Sequence, residues 1–311
     1  MENEIKIFSG TASEYLTEQI AASYGNPMGK IHLQRFTDGE FQPNILESVR
    51  GLMVFFVQST FAPMENLVEL LLMIDAAKRA SADYITAVIP YFGFARQDRK
   101  DKPRVSIGSK MVANLLAAGG ANRVMTMDLH AAQIQGFFDI PVDHLDSSPI
   151  FLPYIKTLDL DNVIFAAPDV GSTNRARTYA IHFARDMVIC DKHRKRANEI
   201  ASMQVIGDVD GKDVVIVDDI IDTAGTLTNA AKLLKEKGAK SVRAIITHPV
   251  LSGGAYDRIN NSALEELVVC NTIPLKEQSD KIKVLSVDKL FADAIDAVVS
   301  NKSISKLFLN K

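Results

Sequence analysis

With 311 residues, the chain is too long for one ordinary hydrophobic core and suits two domains of about 150 residues each. Hydrophobic residues make up 47% and charged residues 23%, an ordinary globular composition. The formal net charge of −3 gives the whole chain no pull on nucleic acid or an acidic membrane, so any anion site must be a local concentration of lysine and arginine. The opening residues Met1-Glu2-Asn3-Glu4 are acidic and polar, unlike a signal or transit peptide. No apolar run approaches the roughly 20 residues needed to span a bilayer. Cys190 and Cys270 lie in apolar runs, too few for a disulfide framework or a CxxC metal site, and read as buried, reduced thiols. The expectation is a soluble, cytoplasmic protein that binds neither nucleic acid nor membrane.

Along the chain, Arg35-Phe36-Thr37-Asp38-Gly39-Glu40 comes first among the candidate segments. Phe36 offers a stacking face, although a phenylalanine beside Thr37-Asp38-Gly39 also serves simply to pin a turn. At Gly51 a unit begins that the chain uses twice. GLMVFFVQST aligns with GKDVVIVDDI from Gly211, a helix follows in each, then SADYITAVIP aligns with AKSVRAIITHP, and a glycine follows each proline at Gly93 and Gly253. The first helix, Asn66 to Arg79, puts Leu67, Leu70, Leu71 and Ile74 on one stripe; its counterpart runs from Leu227 to about Lys237. Strands alternating with helices of this length predict two doubly wound α/β domains with mainly parallel sheets, residues 1–147 and 148–311, divided where Ser147-Ser148-Pro149 interrupts the pattern.

Between the repeats, Arg96 supplies a phosphate-binding fork, and His130, in Met127-Asp128-Leu129-His130, ends another apolar segment. A lone histidine there is commonly structural, and magnesium prefers oxygen. After the strand Met187 to Cys190 comes Asp191-Lys192-His193-Arg194-Lys195-Arg196. Such a basic run is either a solvated face or a loop that closes over phosphates; its place at a strand end of an acidic protein favours the loop.

The most informative stretch is VVIVDDIIDTAGT, Val214 to Thr226. Val214 to Val217 read as a parallel strand covered on both faces, with Asp218 and Asp219 at its carboxyl end, where open α/β sheets bind ligands. Asp222-Thr223-Ala224-Gly225-Thr226 then offers backbone amides and hydroxyls at a helix start, a cradle for a phosphate. The two acids would repel that phosphate, so their job is to accept hydrogen bonds from sugar hydroxyls. An acidic N-cap with a tight turn is the plainer alternative. The first repeat has Gln58-Ser59-Thr60 in place of the acids and lacks the loop, leaving that domain free for a second substrate. No GxxxxGK[ST] and no GxSxG occur.

Together with YFGFARQDR from Tyr91, DLHAAQIQGFF from Asp128, APDVGS from Ala167 and DKHRKRAN from Asp191, these segments resemble the ribose-phosphate pyrophosphokinases of bacterial class I over nearly the whole chain. The resemblance implies two tandem phosphoribosyltransferase-type domains, with the last ten or so residues packing on the first. It implies Mg2+-dependent transfer of the β,γ-diphosphoryl group of ATP to the 1-hydroxyl of ribose 5-phosphate, giving AMP and 5-phosphoribosyl 1-pyrophosphate (PRPP) for nucleotide biosynthesis. Lys192 and Arg194 would then be catalytic cations, Arg194 also touching ribose 5-phosphate. Phe36, Asp38, Gly39, Glu40, Arg96, Gln97, Asp98 and His130 would hold ATP, the first four from a neighbouring subunit. Asp218, Asp219 and Asp222, Thr223, Ala224, Gly225, Thr226 would hold ribose 5-phosphate, and His130 and Asp169 the metal.

The resemblance also implies a homohexamer governed by phosphate and ADP, with Arg50, Ser81, Arg104, Ser303 and Ser305 as effector contacts. His193 stands where many members carry arginine, and Ala224 where many carry glycine, which is tolerable only at negative φ. Three rival readings are a phosphoribosyltransferase that uses PRPP, a catalytically inactive relative that modulates the active enzyme, and a ligand-sensing repressor. The duplicated domain and basic loop oppose the first, the intact site residues the second, and the lack of an added helix-turn-helix the third.

Overall fold

The computed structural model describes residues 4–158, 160–193 and 202–308. They form two compact units, Met1–Ser147 with Val287–Lys311, and Ser148–Ser286. In the first, β1 (Ile5–Ser9), α1 (Glu14–Tyr24), β2 (Ile31–Arg35), β3 (Phe41–Ile45), β4 (Met53–Val57), α2 (Glu65–Arg79), β5 (Tyr84–Ile89), α3 (Gly108–Gly119), β6 (Arg123–Met127) and β7 (Val142–Leu145) follow in order. In the second come α4 (Ser148–Thr157), β8 (Val163–Ala167), α5 (Thr173–His182), β9 (Met187–His193), β10 (Ser202–Ile206), β11 (Asp213–Ile221), α6 (Gly225–Glu236), β12 (Ser241–Pro249), α7 (Ala255–Asn260), β13 (Glu266–Cys270) and β14 (Ile282–Leu285). α8 (Asp288–Val299) belongs to the first unit, where it packs against α1.

The repeat is visible in the topology. One sheet runs β1-β4-β5-β6-β7 and the other β10-β9-β8-β11-β12-β13-β14, so adding seven to each strand of the first sheet reproduces the common run. The antiparallel pair β2-β3 corresponds by the same rule to β9-β10, which joins the second sheet at its edge while β2-β3 stands as a separate ribbon. All other pairings are parallel, as expected when crossover helices cover both faces.

The parallel strands are apolar without alternation because both faces are buried. In the first unit Val54, Phe56, Ile85, Ala87 and Val124 meet Leu67, Leu70, Met73 and Ile74 of α2 and Val112 and Leu116 of α3. Each such large side chain contributes about 1.5–3 kcal/mol by leaving water. In the second unit α6 sets Leu227, Ala230, Ala231 and Leu234 on Val214, Ile216, Val242 and Ala244. The glycine after the first proline has a steric reason: a Cβ on Gly93 would stand 2.2 Å from the Thr60 carbonyl oxygen. Both cysteines are buried free thiols, and burial pushes the Cys190 thiol up to about 11. Among the described residues no helix is long and apolar enough to cross a membrane.

The acids of the cradle sit differently from their sequence reading. β11 extends through Ile221, so Asp218 and Asp219 lie within the strand, beyond the four apolar residues. Only the β12 side is paired that far, with Asp218 opposite Ile246 and Ile221 opposite Pro249; the β8 ladder ends at Ile216. The acids therefore stand where one edge of the strand has been released from its neighbour.

Candidate active site

At the carboxyl ends of β8 and β11, the PDVGS segment and the acid pair meet. Asp218 Oδ1 accepts from the Ser172 hydroxyl at 2.7 Å and from the Asp219 amide at 2.9 Å. The same hydroxyl lies 3.2 Å from Asp169 Oδ1, which also accepts from the Ser172 amide at 3.0 Å. Ser172 thus ties the two motifs through one side chain. Arg175, in the first turn of α5, faces Asp219 with Nε 3.7 Å from Oδ1. The acids consequently differ: Asp219 is buried and ion-paired, whereas burial first and the Asp219 charge second push the Asp218 carboxyl up to about 7. The Ser172 hydroxyl bond and the ionised form it favours only partly offset that rise.

The loop after β11 carries the sharpest correction to the sequence reading. Ala224, expected at negative φ, adopts φ 63° and ψ −1° and is buried. A Cβ in the left-handed region costs roughly 1–2 kcal/mol, so the surroundings must hold it there. As the N-cap of α6, Ala224 makes no side-chain cap bond, and Thr228 is the first helix residue whose amide returns to it, bonding the Ala224 carbonyl at 3.0 Å. An alanine at this place leaves the amides of the first turn turned outward at the positive end of the helix dipole, the arrangement an anion needs. Thr223 and Thr226 are exposed beside it, and Asp222 Oδ1 accepts from the Ser252 hydroxyl.

A magnesium ion suits this donor set. Asp169 Oδ1 is occupied by Ser172, while Oδ2 carries no donor among the described residues, and Mg2+ commonly takes one or two carboxylate oxygens with phosphates and water. Among the described residues no group of three or more His, Cys, Asp and Glu side chains is arranged to hold a metal by itself.

The basic loop is described only at its start. Lys192 lies in β9 opposite Met203, its side chain and that of His193 outside the described residues, as is the whole of Arg194.

The other predicted residues lie in the first unit. Phe36 to Glu40 form the tip of the β2-β3 hairpin, where the Phe36 amide donates to Glu40 O at 2.8 Å and the Glu40 amide to Asp38 Oδ1 at 3.0 Å. Asp38 and Gly39, at φ 97°, make this turn, and the Phe36 ring stays 43% exposed. Arg96 and Gln97 are exposed and Asp98 half-buried on the stretch that leads to α3, where Gln97 O accepts from the Ser109 hydroxyl at 3.0 Å. His130 is exposed just beyond β6. Arg50 and Ser81 come together, Nη1 to Oγ 3.1 Å, and Ser303 and Ser305 share a 2.8 Å hydroxyl contact. Arg104 takes φ 64° on a turn.

The strand end corresponding to the cradle is closed in this unit. Gln58, in the place of Asp218, is fully buried; its Oε1 accepts from the Ala12 amide at 3.2 Å and its Nε2 donates to Glu69 Oε2 at 3.1 Å. Glu69 also receives the Thr11 amide and hydroxyl, at 2.9 and 2.7 Å. Sequence reasoning missed Ser172, Arg175, Ser252 and Glu69 as supporting residues. Glu69 occupies a core-facing position of α2 that an apolar residue would ordinarily fill, and that departure was the available signal.

Comparison with known proteins accords with this architecture. Residues 5–120 match a family described as the N-terminal domain of ribose phosphate pyrophosphokinase, and residues 191–309 match the phosphoribosyl synthetase-associated domain. Ribose-phosphate pyrophosphokinase of Porphyromonas gingivalis is 58% identical over 99% of this chain and 98% of its own, and that of Wolinella succinogenes 57% over 98% and 99%. The crystal structure of phosphoribosylpyrophosphate synthetase from Mycobacterium smegmatis matches with a TM-score of 0.91 and 38% identity, covering 96% of this chain and 99% of that one.

Proposed function

The chain belongs to the ribose-phosphate pyrophosphokinase family, a family of transferases, and we propose that it moves the β,γ-diphosphoryl group of MgATP onto the anomeric hydroxyl of ribose 5-phosphate, releasing AMP and PRPP. The observation that carries this reading is the juxtaposition on β11 and α6 of an acid pair and an uncapped helix start. The amides of Ala224, Gly225 and Thr226 with the Thr223 and Thr226 hydroxyls hold the 5-phosphate, while Asp218 and Asp219 fix the ribose through its hydroxyls. Asp222 shapes the loop through Ser252.

With both ends of the sugar held, the anomeric oxygen is presented to the β-phosphorus, and positioning supplies much of the rate. Lys192 and Arg194 offset charge that develops on the transferring phosphoryl oxygens. Asp169 and His130 would be the metal contacts, and Mg2+ would supply positive charge that offsets that of the phosphates. Phe36 stacks on adenine from a neighbouring subunit, with Asp38, Gly39 and Glu40 reading its edge; Arg96, Gln97 and Asp98 hold the nucleotide of their own subunit.

The same reading includes a cytoplasmic homohexamer with phosphate and ADP as effectors, bound by Arg50, Ser81, Arg104, Ser303 and Ser305. The Arg50–Ser81 contact supports the first two as one anion-binding group. The test is 31P NMR of the purified protein with MgATP and ribose 5-phosphate, with and without inorganic phosphate. Joint appearance of AMP and the PRPP diphosphate signals is the expected result; absence of both in either condition would overturn the reading in favour of a non-catalytic relative.

A further inference from the structure

The phosphate loop lacks the means to hold its own shape. Ala224 sits at φ 63° without a side-chain cap, a conformation that alanine leaves unless its neighbours prevent it. Those neighbours come from the segment between β12 and α7. The Leu251 amide donates to Ile221 O at 3.1 Å, the Ser252 amide to Asp222 O at 3.0 Å, and the Ser252 hydroxyl to Asp222 Oδ1. Arg258, on α7, then reaches back: its Nη1 donates to Thr223 O at 2.7 Å and to Gly253 O at 2.8 Å. One guanidinium nitrogen thereby staples the loop that starts α6 to the loop that starts α7.

The direction of that staple matters. In a trans peptide the carbonyl and the following amide point in opposite directions. Holding the Thr223 carbonyl towards Arg258 therefore turns the Ala224 amide the other way, outward with the amides of the first helical turn. The guanidinium also spends its hydrogen bonds on carbonyls, which accept without cancelling its charge, so a full positive charge remains behind the loop.

We infer that Arg258 is a positioning residue for the phosphate end of the sugar substrate, acting through the Thr223–Ala224 peptide, with Ser252 as the second strap. It does not touch the substrate. The inference rests on the ribose 5-phosphate reading of this loop given above.

Isothermal titration with ribose 5-phosphate, paired with steady-state kinetics, tests it on the full-length protein. Arg258→Met keeps most of the stem and removes both donors. Its dissociation constant for ribose 5-phosphate should rise about tenfold while KM for ATP shifts less than twofold. Adding Ala224→Gly should recover most of the lost affinity, because glycine takes positive φ without the steric penalty that drives the released loop away. Unchanged ribose 5-phosphate affinity in Arg258→Met, or equal losses for both substrates, would overturn the positioning role. Should Arg258→Met fail to fold, Ser252→Ala removes the other strap and must show the same selectivity; parental affinity there would equally overturn it. A parent protein that binds no ribose 5-phosphate would instead defeat the substrate reading itself.

Discussion

The Ser172 hydroxyl donates to Asp218 Oδ1 at 2.7 Å and stands 3.2 Å from Asp169 Oδ1, so a single side chain sets the spacing between two acids of different motifs. Removing it with Ser172→Ala leaves Asp218 without that donor and Asp169 with only the backbone amide. A hydrogen bond to a charged group contributes about 1.5–3 kcal/mol, equivalent to a loss of about tenfold or more in affinity. Ribose 5-phosphate binding, measured by titration calorimetry at pH 8 without metal, should weaken by that factor. Parental affinity would show that Asp218 keeps its place without the serine.

Asp218 has a stability consequence whose sign is fixed by its raised carboxyl. In the folded protein it titrates at about 7 against an ordinary 3.8. Between those values the folded state holds a proton that the unfolded chain has released, so this group's contribution makes stability fall as pH rises from about 4 to about 7, and the full penalty persists above. Asp218→Asn abolishes the penalty. Melting temperature should rise by about 3–6 °C relative to the parent at pH 8 and show no such gain near pH 4. Equal shifts at both pH values would mean that ionisation of Asp218 is not the cause. Weaker sugar binding in the same variant would be the usual exchange of function for stability.

In the first repeat the analogous strand end is sealed by Glu69, whose carboxylate receives Thr11 N, Thr11 Oγ1 and Gln58 Nε2. Glu69→Ala strands these donors around a small void. A buried donor left unpaired costs about 1–3 kcal/mol, and a net loss of about 2–4 kcal/mol in denaturant unfolding is expected. A loss below about 0.5 kcal/mol would mean that water replaces the carboxylate easily.

Much of this fold was readable because its signals are local. Unalternating runs such as Val214 to Val217 announce covered parallel strands, and the shared spacing of Gly51 and Gly211 announces two copies of one unit, which the seven-strand offset between the sheets makes explicit. What escaped reading depends on distant neighbours. Ser172 meets Asp218 across 46 positions and Arg258 meets Thr223 across 35, separations to which periodicity and capping rules are blind. The sign of φ at Ala224 failed for the same reason: local preference says negative, and the segment around Leu251 and Arg258 overrides it. The apolar run of β11 likewise ends at Val217 by composition, yet pairing with β12 carries the strand four residues further through the acids.

Arg50 Nη1 lies 3.1 Å from Ser81 Oγ, with Ser81 itself at φ 63°. If this pair and Arg104 receive an effector phosphate, Arg50→Ala and Arg104→Ala should each lower the activation produced by inorganic phosphate by about tenfold, the worth of one charge-assisted contact. Initial rates over a phosphate titration at saturating substrates provide the measurement. Parental activation in both variants would remove these residues from the effector site.

Lys192 is the penultimate residue of β9 and opens the row of basic residues, with its backbone fixed opposite Met203 in the antiparallel pair with β10. The anchored strand fixes where the loop begins, and on the proposed function Lys192 offsets the charge that builds on the phosphoryl oxygens in the transition state. A donor used chiefly in the transition state lowers kcat when removed and leaves ground-state affinity nearly intact. Lys192→Ala should therefore reduce kcat by about 100- to 1,000-fold, the usual effect of losing one charge-stabilising group. KM for ribose 5-phosphate should move less than about threefold, since on the proposed function the β11–α6 cradle binds that substrate without the lysine. Single-turnover rates separate this chemistry from product release. If affinity and kcat fell by similar factors, Lys192 would be holding bound substrate rather than the developing charge, and the burden of neutralisation would pass to Arg194.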